Sequence, residues 1–370
     1  MKTILFGIIL LIVSIPFIQH ATQFAKSKGL WGAVETKEPA EFSFESWKTG
    51  KYQKNTEAYL NEAFGFRPDF VRLHNQIQFS LFSQPHANGV VIGKDWYLYE
   101  SNYIKAYYGQ DFIGDSLITE RTRKLKFIQD TLQKQGREIL VVLAPGKGTF
   151  FPEYFPDSLI STKSRTNYEA YLEQFNKQNI QYVDFQKWFL SMKNRSEYPL
   201  YPKCGIHWSK YGEMLVADSL IRKIESITER DLPDLVIEKF TIQDKNEEGD
   251  YDIAKGMNLI LHMPTYPMAY PEFRVEGMEK NITRTLFVSD SYYWGMYHYN
   301  FSQVMFGYGE FWFYNTEIYR DKLTADGYVS DISIKDEVEK HQVIVLMSTD
   351  ANLPQFCFGF IDQLYDQYTH

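Results

Sequence analysis

The chain has 370 residues, 44% of them hydrophobic and 17% aromatic, so it can bury one large core or two modest ones and is not disordered overall. Its formal net charge of −8 argues against a nucleic-acid partner, because binding to a phosphate backbone depends on clustered Lys and Arg. The eight histidines lack the paired spacing of a metal site, and the sequence predicts neither a metal nor a cofactor.

The N-terminus carries an apolar stretch that predicts export. The run Ile4–Ile18 follows Lys2, contains Pro16, and is followed by no formal charge until Lys26. Residues 1–25 are interpreted as a signal peptide or a signal anchor, and the absence of a clear Ala-x-Ala cleavage site after the run favours the uncleaved anchor. In either case the body of the protein is expected on the extracytoplasmic (periplasmic) side of the membrane.

The next segments predict a linker and then the start of a folded domain. Residues 26–55 are mostly polar and turn-rich, as in a stalk, and residues 56–370 are expected to form the domain. Glu57–Phe82 has apolar residues every three or four positions and should be helical on either side of Pro68. The pattern of Asn88–Tyr99 predicts a β-hairpin.

Helices and strands are predicted to alternate through the middle of the chain. They are helix Ser116–Gln135, strand Glu138–Ala144, helix Arg165–Gln178, strand Ile180–Asp184 and helix Lys210–Ile224. This alternation predicts an α/β fold with a mostly parallel sheet covered by helices. The runs Ile139–Leu143, Thr285–Val288 and Val343–Met347 are continuously apolar, as in strands buried on both faces. Residues 230–284 are less regular and are expected to cross the surface.

Two polar groups fall where a parallel sheet binds its ligands, at the carboxyl ends of strands. Ser289, Asp290 and Ser291 directly follow an apolar run, and His207 precedes the helix that starts near Lys210. The pattern predicts acyl transfer, in which Ser291 attacks a carbonyl, His207 accepts its proton, and the Ser291 N–H stabilises the oxyanion. The alternative is that Asp290 and Ser291 only cap a helix.

Three other sets of residues are candidates for a functional or structural role. Pro145–Thr149 lacks the residue order of a phosphate loop, so no nucleotide site is predicted. Asn315 is a candidate to reach the oxyanion or a sugar hydroxyl, and a turn asparagine is the alternative. The sequence leaves open whether Cys204 and Cys357 form a disulfide.

Read together, these segments resemble the SGNH-hydrolase-like domain of the alginate O-acetyltransferases AlgX and AlgJ. The resemblance runs from Leu60 to about Asn352, and the order agrees too, because the histidine element precedes the serine element as it does in that family. The matching segments are Asn61–Arg67, Gly93–Tyr99, Ala144–Lys147, Pro152–Pro156, His207–Gly212 and Asp290–Ser291.

The resemblance implies an SGNH-hydrolase-like three-layer fold with helices on both faces of the sheet. It also implies an extracytoplasmic enzyme that moves an acetyl group onto hydroxyls of a surface or exported polysaccharide, with the acetyl supplied by a membrane-bound O-acyltransferase. Ser291, with Asp290 beside it, matches the nucleophile, and His207 matches the base. Lys147 and Trp208 are candidates to contact the substrate, and a solvated surface lysine is the alternative for Lys147.

The sequence departs from the family at two positions. The acid expected two residues before the histidine is replaced by Gly205, and the glycine of the serine motif is replaced by Ser289. Loss of the acid would cost on the order of 10⁴ in rate. Asp184, at the end of its strand, is the candidate substitute, and the alternative is that it is a structural cap. Two alternative functions therefore stay open: an esterase with the same residues, and a decayed glycan-binding or scaffolding domain.

Overall fold

The computed structural model describes residues 2–32, 37–246, 248–280 and 282–369. They form two compact units. The first holds the described residues up to Asn88 together with Ala254–Met263, and the second holds Gly89–Ile253 and the residues from Pro264 onward. The domain start expected at residue 56 falls inside the first unit.

Helices dominate the described part of the first unit: α1 (Lys2–Thr22), α2 (Phe44–Lys48), α3 (Lys51–Ala63) and α4 (Arg67–Phe82). By length and composition α1 could cross a membrane, a property that signal sequences near an N-terminus share. Part of the predicted linker is helical, because it contains α2 and the start of α3. The predicted helical stretch on either side of Pro68 is confirmed, and Pro68 lies in the first turn of α4, where its missing N–H costs nothing.

The second unit carries the alternating elements. In chain order they are β1 (Val90–Ile92), β2 (Leu98–Glu100), α5 (Ser101–Tyr108), α6 (Asp115–Lys134), β3 (Glu138–Ala144), α7 (Lys147–Phe150), α8 (Asn167–Gln178), β4 (Tyr182–Asp184), α9 (Phe185–Met192), α10 (Lys210–Thr228), β5 (Asp234–Gln243), α11 (Asp252–Gly256, which runs on into the first unit), β6 (Met268–Glu276), β7 (Thr285–Ser289), α12 (Trp294–His298), α13 (Phe301–Val304), β8 (Glu310–Phe313), β9 (Glu317–Tyr319), β10 (Gly327–Tyr328), α14 (Ile334–Val338), β11 (Val343–Thr349) and α15 (Phe360–Thr369).

A seven-stranded sheet organises this unit, in the order β10-β9-β8-β7-β11-β3-β4. The five strands from β8 to β4 are parallel, and β9 and β10 add an antiparallel edge. The mostly parallel sheet predicted from the sequence is therefore confirmed. Because β7 and β11 are neighbours in register, with Ser289 opposite Met347, the residues that follow these two strands meet at one edge of the sheet.

The core lies on both faces of the sheet. On one face, Leu286 and Leu346 pack in a buried cluster with Leu125 of α6 and Phe360 of α15. On the other face, Phe287 stacks on Tyr293, with ring centroids 3.9 Å apart. Burial on both faces explains why the central strands are continuously apolar rather than alternating.

The expectation of an irregular surface excursion over residues 230–284 is wrong in part. The segment contains the antiparallel pair β5 and β6. Between these strands the chain forms a short 3₁₀ turn, Glu248–Tyr251, followed by α11. This segment thus brings the start of α11 to the edge of the sheet where His207 lies.

The two cysteines, Cys204 and Cys357, are both buried and unpaired. Burial raises the pKa of the Cys204 thiol to about 11 and also raises that of Cys357. Neither side chain is therefore a thiolate near neutral pH, and the open question of a disulfide is answered: none forms between them.

Candidate active site

Ser291 stands directly beyond the carboxyl end of β7, in a turn that Asp290 holds in place. The Asp290 carboxylate is fully buried and accepts hydrogen bonds from the backbone N–H of Tyr292 (3.1 Å) and of Thr349 (2.9 Å). It also accepts from the Thr349 hydroxyl (3.0 Å) and the Asn352 amide (2.8 Å). These bonds tie the turn after β7 to the end of β11, so Asp290, a predicted catalytic residue, fixes the position of Ser291.

His207 and Ser291 meet at this edge, although 84 residues separate them in sequence. The Nε2 atom of His207 lies 2.8 Å from the Ser291 hydroxyl. His207 sits in the loop that leads into α10, whose first turn is capped by Ser209. The distance is within the range in which a base takes a proton from a nucleophile.

The acid that the sequence motif lacks is supplied by Asp252, the first residue of α11. Its Oδ2 atom lies 2.5 Å from Nδ1 of His207, and its Oδ1 atom accepts from the backbone N–H groups of Ile206 (2.9 Å) and Ile253 (2.7 Å). Because a carboxylate only accepts, Nδ1 carries the imidazole proton and Nε2 is left free to accept from Ser291. The three side chains form a Ser-His-Asp chain.

Asp184, the substitute acid expected from the sequence, is not at this site. Its carboxylate accepts from the Tyr168 hydroxyl (2.8 Å) and from the Lys187 backbone N–H (2.9 Å), which caps α9. The expectation that Asp184 replaces the missing acid is therefore wrong. A strand-end aspartate that begins a helix is a capping residue here.

The glycine at position 205 has a structural reason. A Cβ atom built on Gly205 would lie only 2.9 Å from the backbone of Gly249 and Asp250, the segment that leads into Asp252. Only a residue without a side chain allows this close approach. Gly205 thus leaves room for the segment that brings the acid at position 252 to His207.

Lys147 supports the segment 203–207, here called the histidine loop, and is not a substrate contact. Its side chain is fully buried, and its Nζ atom donates to the carbonyls of Lys203 (2.8 Å) and Gly205 (2.7 Å). Burial lowers the pKa of its ammonium to about 7. The expectation of substrate contact is wrong, because the fixed donor of this side chain is used to position the backbone two residues before His207.

Trp208 is also a packing residue rather than a substrate contact. It is 3% exposed, and its ring packs against Tyr292 with centroids 5.0 Å apart. The Tyr292 hydroxyl in turn donates to the carbonyl of Ile206 (2.8 Å), and its ring lies 4.9 Å from that of His207. Tyr292 therefore contacts both the imidazole ring and the backbone of the segment that carries it.

The surroundings of His207 are acidic. Burial alone would lower the pKa of the imidazole, but Asp252, Glu100 and Asp290 outweigh burial and raise that pKa above its usual value. Glu100 ends β2, whose Leu98 N–H donates to the carbonyl of Lys203 in the histidine loop (3.0 Å). The pKa of Glu100 is itself raised, by burial and by Asp252. Negative charge around the imidazole stabilises the cation that forms when it accepts a proton.

Tyr314, which no local sequence pattern marks, lies beside Ser291. Its backbone N–H donates to the carbonyl of Ser289 (2.9 Å), and its side chain interacts with Ser291 and Asn352. Burial raises the pKa of its hydroxyl to about 12, so it stays protonated at neutral pH. A protonated hydroxyl at this position is a potential donor to an oxyanion formed at Ser291.

Asn315, the predicted oxyanion or sugar ligand, does not bond to Ser291. Its amide Nδ2 donates to the Phe358 carbonyl (3.1 Å) and the Gln363 side chain (3.0 Å). The residue of this turn whose side chain interacts with Ser291 is the preceding one, Tyr314. Within the described residues no group of three or more His, Cys, Asp or Glu side chains is arranged to hold a metal ion.

Comparisons with known proteins agree with this fold. Probable alginate O-acetylases AlgJ from Pseudomonas syringae pv. tomato and Azotobacter vinelandii are 23% and 21% identical to the chain over 171 and 178 residues. Those matches cover 46% and 48% of the chain but only 42% and 44% of the relatives, less than half of their length. Among solved structures, the O-acetyltransferase domain of Pseudomonas putida AlgJ matches with a TM-score of 0.51 at 18% identity, covering 75% of this chain and 99% of that one.

A family model supplies the assignment. The model described as "SGNH hydrolase-like domain, acetyltransferase AlgX" matches residues 90–286, more than half of the chain. The matched range includes His207 and Asp252 and ends shortly before Ser291. With the parallel sheet and the similarity to AlgJ, this match confirms the resemblance drawn from the sequence: the chain belongs to the AlgX family of SGNH hydrolase-like acetyltransferase domains.

Proposed function

We propose that the protein is an extracytoplasmic O-acetyltransferase that acetylates hydroxyls of a cell-surface or exported polysaccharide. The observation that supports it most strongly is the Ser291–His207–Asp252 chain, with contacts of 2.8 and 2.5 Å at the carboxyl edge of the sheet. The apolar helix α1 fits export or anchoring, and relatives named alginate O-acetylases fit the substrate class.

In the first half of the reaction, the Ser291 hydroxyl attacks the carbonyl carbon of an acetyl donor while its proton passes to Nε2 of His207. The Ser291 backbone N–H and the Tyr314 hydroxyl stabilise the oxyanion. Asp252 holds the imidazole and stabilises its positive charge. The intermediate then collapses to an acetyl-serine, and the leaving group departs with the proton from His207.

In the second half, His207 takes the proton of an acceptor hydroxyl, whose oxygen attacks the acetyl-serine. Collapse of the second intermediate gives the acetylated sugar and restores Ser291, which recovers its proton from His207. His207 and Asp252 are 27% and 24% exposed, so the catalytic edge is open to an acceptor from solvent. We infer that a membrane-bound O-acyltransferase delivers the acetyl group across the membrane.

The second candidate function is an acetylesterase, which uses the same residues and admits water to the acetyl-serine. The third, a decayed binding or scaffolding domain, is motivated by Gly205 and by Ser289. Asp252 argues against the first of these grounds, because it brings a carboxylate to His207 from another element.

The deciding experiment gives the purified full-length protein a chromogenic acetyl ester, with and without an oligosaccharide acceptor, beside a Ser291→Ala variant. Acetyl transfer to the oligosaccharide that the variant lacks supports the acetyltransferase. Release of acetate to water alone supports the esterase. Failure of the wild type to form an acetyl-serine, measured by intact-protein mass spectrometry, contradicts both.

A further inference from the structure

Helix α4 of the first unit carries an exposed apolar stripe. Phe70, Leu73, Ile77 and Leu81 recur every three or four residues, so they lie on one face of the helix, and each side chain is between 44% and 70% exposed. At the start of α4 the stripe continues onto α3, because the rings of Phe64 and Phe70 are 6.2 Å apart. A row of large exposed apolar side chains of this length is typical of a surface that binds another apolar surface.

The opposite face of α4 contacts the rest of the same unit. Arg72 donates to the carbonyls of Lys28 (2.7 Å) and Gly29 (2.5 Å), in the segment that follows α1. Asn75 is buried and donates to the carbonyl of Met257 (2.9 Å). These contacts fix the rotation of α4 about its own axis, so the stripe faces outward from this unit.

Helix α1 ends beside the turn from which the stripe begins. Its 21 residues have the length and apolar composition to cross a membrane. At about 1.5 Å per residue, such a helix matches the roughly 30 Å thickness of a hydrocarbon core. A Cβ atom built on Gly65, between α3 and α4, would lie 2.2 Å from the carbonyl oxygen of Pro16 and 2.8 Å from the backbone nitrogen of His20. The turn therefore packs against the last two turns of α1, where a spanning helix leaves the hydrocarbon core.

The spacing of the stripe favours a flat surface over a partner helix. From Phe70 to Leu81 the apolar residues advance by three, four and four positions, which is close to the roughly 3.6 residues per turn of a straight helix. A helix that pairs in a left-handed coiled coil instead repeats its apolar residues about every 3.5 positions. A straight stripe can touch a planar surface along its whole length, as in helices that lie in the membrane interface.

We propose that α4 lies on the membrane that α1 enters, with its apolar stripe inserted at the boundary between the lipid headgroups and the acyl chains. The occupant of the stripe is therefore a lipid leaflet, and the first unit is held to the membrane at two places, by a spanning helix and by a surface helix. The inference requires α1 to be retained as an anchor and does not depend on the acetyl-transfer chemistry.

The test measures lipid contact at single positions of the full-length protein in liposomes of phosphatidylcholine and phosphatidylglycerol. Cys204 and Cys357 are buried, so an NBD fluorophore should react only with an introduced cysteine, and wild type treated with the same reagent checks this. Leu73→Cys places the label on the stripe. Asn55→Cys is the matched control, because Asn55 is exposed on α3 at roughly 140° around the helix axis from Leu60.

Lipids that carry a nitroxide should quench the label at Leu73→Cys at least about twofold more than the label at Asn55→Cys, because an interfacial helix buries its apolar face roughly 5–10 Å into this boundary. A label at Leu81→Cys should be quenched as well. Adding Leu73→Glu and Ile77→Glu should lower the quenching at Leu81→Cys to the level of Asn55→Cys, while the protein still floats with the liposomes through α1.

Equal quenching at Leu73→Cys and Asn55→Cys would overturn the proposal, and so would failure of the wild type to float with the liposomes. Cross-linking between two Leu73→Cys chains without quenching would assign the stripe to a second copy and would overturn it too. The acetyl-transfer chemistry has a separate readout. The Leu73→Glu/Ile77→Glu variant should form the acetyl-serine from a chromogenic ester at the wild-type rate, so loss of lipid contact and loss of chemistry are distinguishable.

Discussion

The Asp252 carboxylate lies 2.5 Å from Nδ1 of His207, and the two residues come from different elements 45 positions apart. In the sequence motif of the family the acid is expected two residues before the histidine, where this chain has Gly205. The same side-chain contact is made here from α11, because the backbone before α11 packs against that glycine. The carboxylate that contacts His207 therefore comes from a different element than the family motif would place it in.

The role of Asp252 predicts a large and specific loss of activity. Asp252→Asn keeps the shape of the side chain but can donate to Nδ1, which favours the wrong imidazole tautomer, so kcat should fall by on the order of 10⁴. Steady-state hydrolysis of a chromogenic acetyl ester measures the loss. Asp184→Asn is the control, since Asn also caps helices and this residue lies outside the site; it should keep kcat within about twofold.

The fit between Gly205 and the segment before Asp252 predicts a steric effect. Gly205→Ala would place a Cβ atom 2.9 Å from the backbone of Gly249 and Asp250, so activity should drop and the free energy of unfolding should fall by about 1–3 kcal/mol. Gly256→Ala, in α11 itself, meets nothing within 4 Å and should stabilise by about 0.5–1 kcal/mol. Chemical denaturation measures the free energy of unfolding and ester hydrolysis the activity. Equal values for the two variants would contradict a steric role for Gly205.

The raised pKa of His207 predicts the acid limb of the pH profile. Only the neutral imidazole accepts a proton, so activity is lost as pH falls through this pKa, which lies above the ordinary value of 6.5. Glu100→Gln removes one of the charges that raise it, and the limb of kcat/KM should move to lower pH. Glu120→Gln, at an exposed residue paired with Lys124, should leave the limb in place. An unmoved limb in Glu100→Gln would contradict the assignment.

Lys147 predicts a separation of activity from stability. Lys147→Met loses two hydrogen bonds to the histidine loop but also loses the cost of a buried amine. The free energy of unfolding should therefore change by less than about 2 kcal/mol, because the two effects oppose each other. The value of kcat should still fall, since the Gly205 carbonyl is no longer held. Thermal unfolding and ester hydrolysis on one preparation measure both quantities, and a fully active variant would show that the contact does not position His207.

The hydroxyl of Tyr314 is expected to act in the transition state. Tyr314→Phe keeps the ring that packs against Phe358 but removes the donor beside Ser291, so formation of the acetyl-serine should slow by about 10²–10³. Rapid-mixing measurement of the acylation burst tests this expectation, and a normal burst would remove Tyr314 from the oxyanion site.

The sequence predicted the mostly parallel sheet, but it predicted only part of the candidate active site. Continuous apolar runs located β7 and β11, and the residues following β7 located Ser291, because strand burial and strand-end polarity are local signals. Asp252 could not be found this way, since its contact with His207 depends on how β5 and β6 return the chain to the sheet. The only signal was the acidic pair Asp250 and Asp252 in a segment of weak periodicity. Lys147 and Trp208 were misassigned because nothing local distinguishes a buried supporting side chain from a substrate contact.

The sulfhydryl groups at positions 204 and 357 are buried and are not joined to each other. Completion of the fold accordingly requires no electron acceptor and no thiol-exchange helper, whatever the compartment in which the chain matures. Material produced in a reducing cell interior should carry the same two free thiols as material secreted into an oxidising compartment, and reducing agents should leave its melting temperature unchanged.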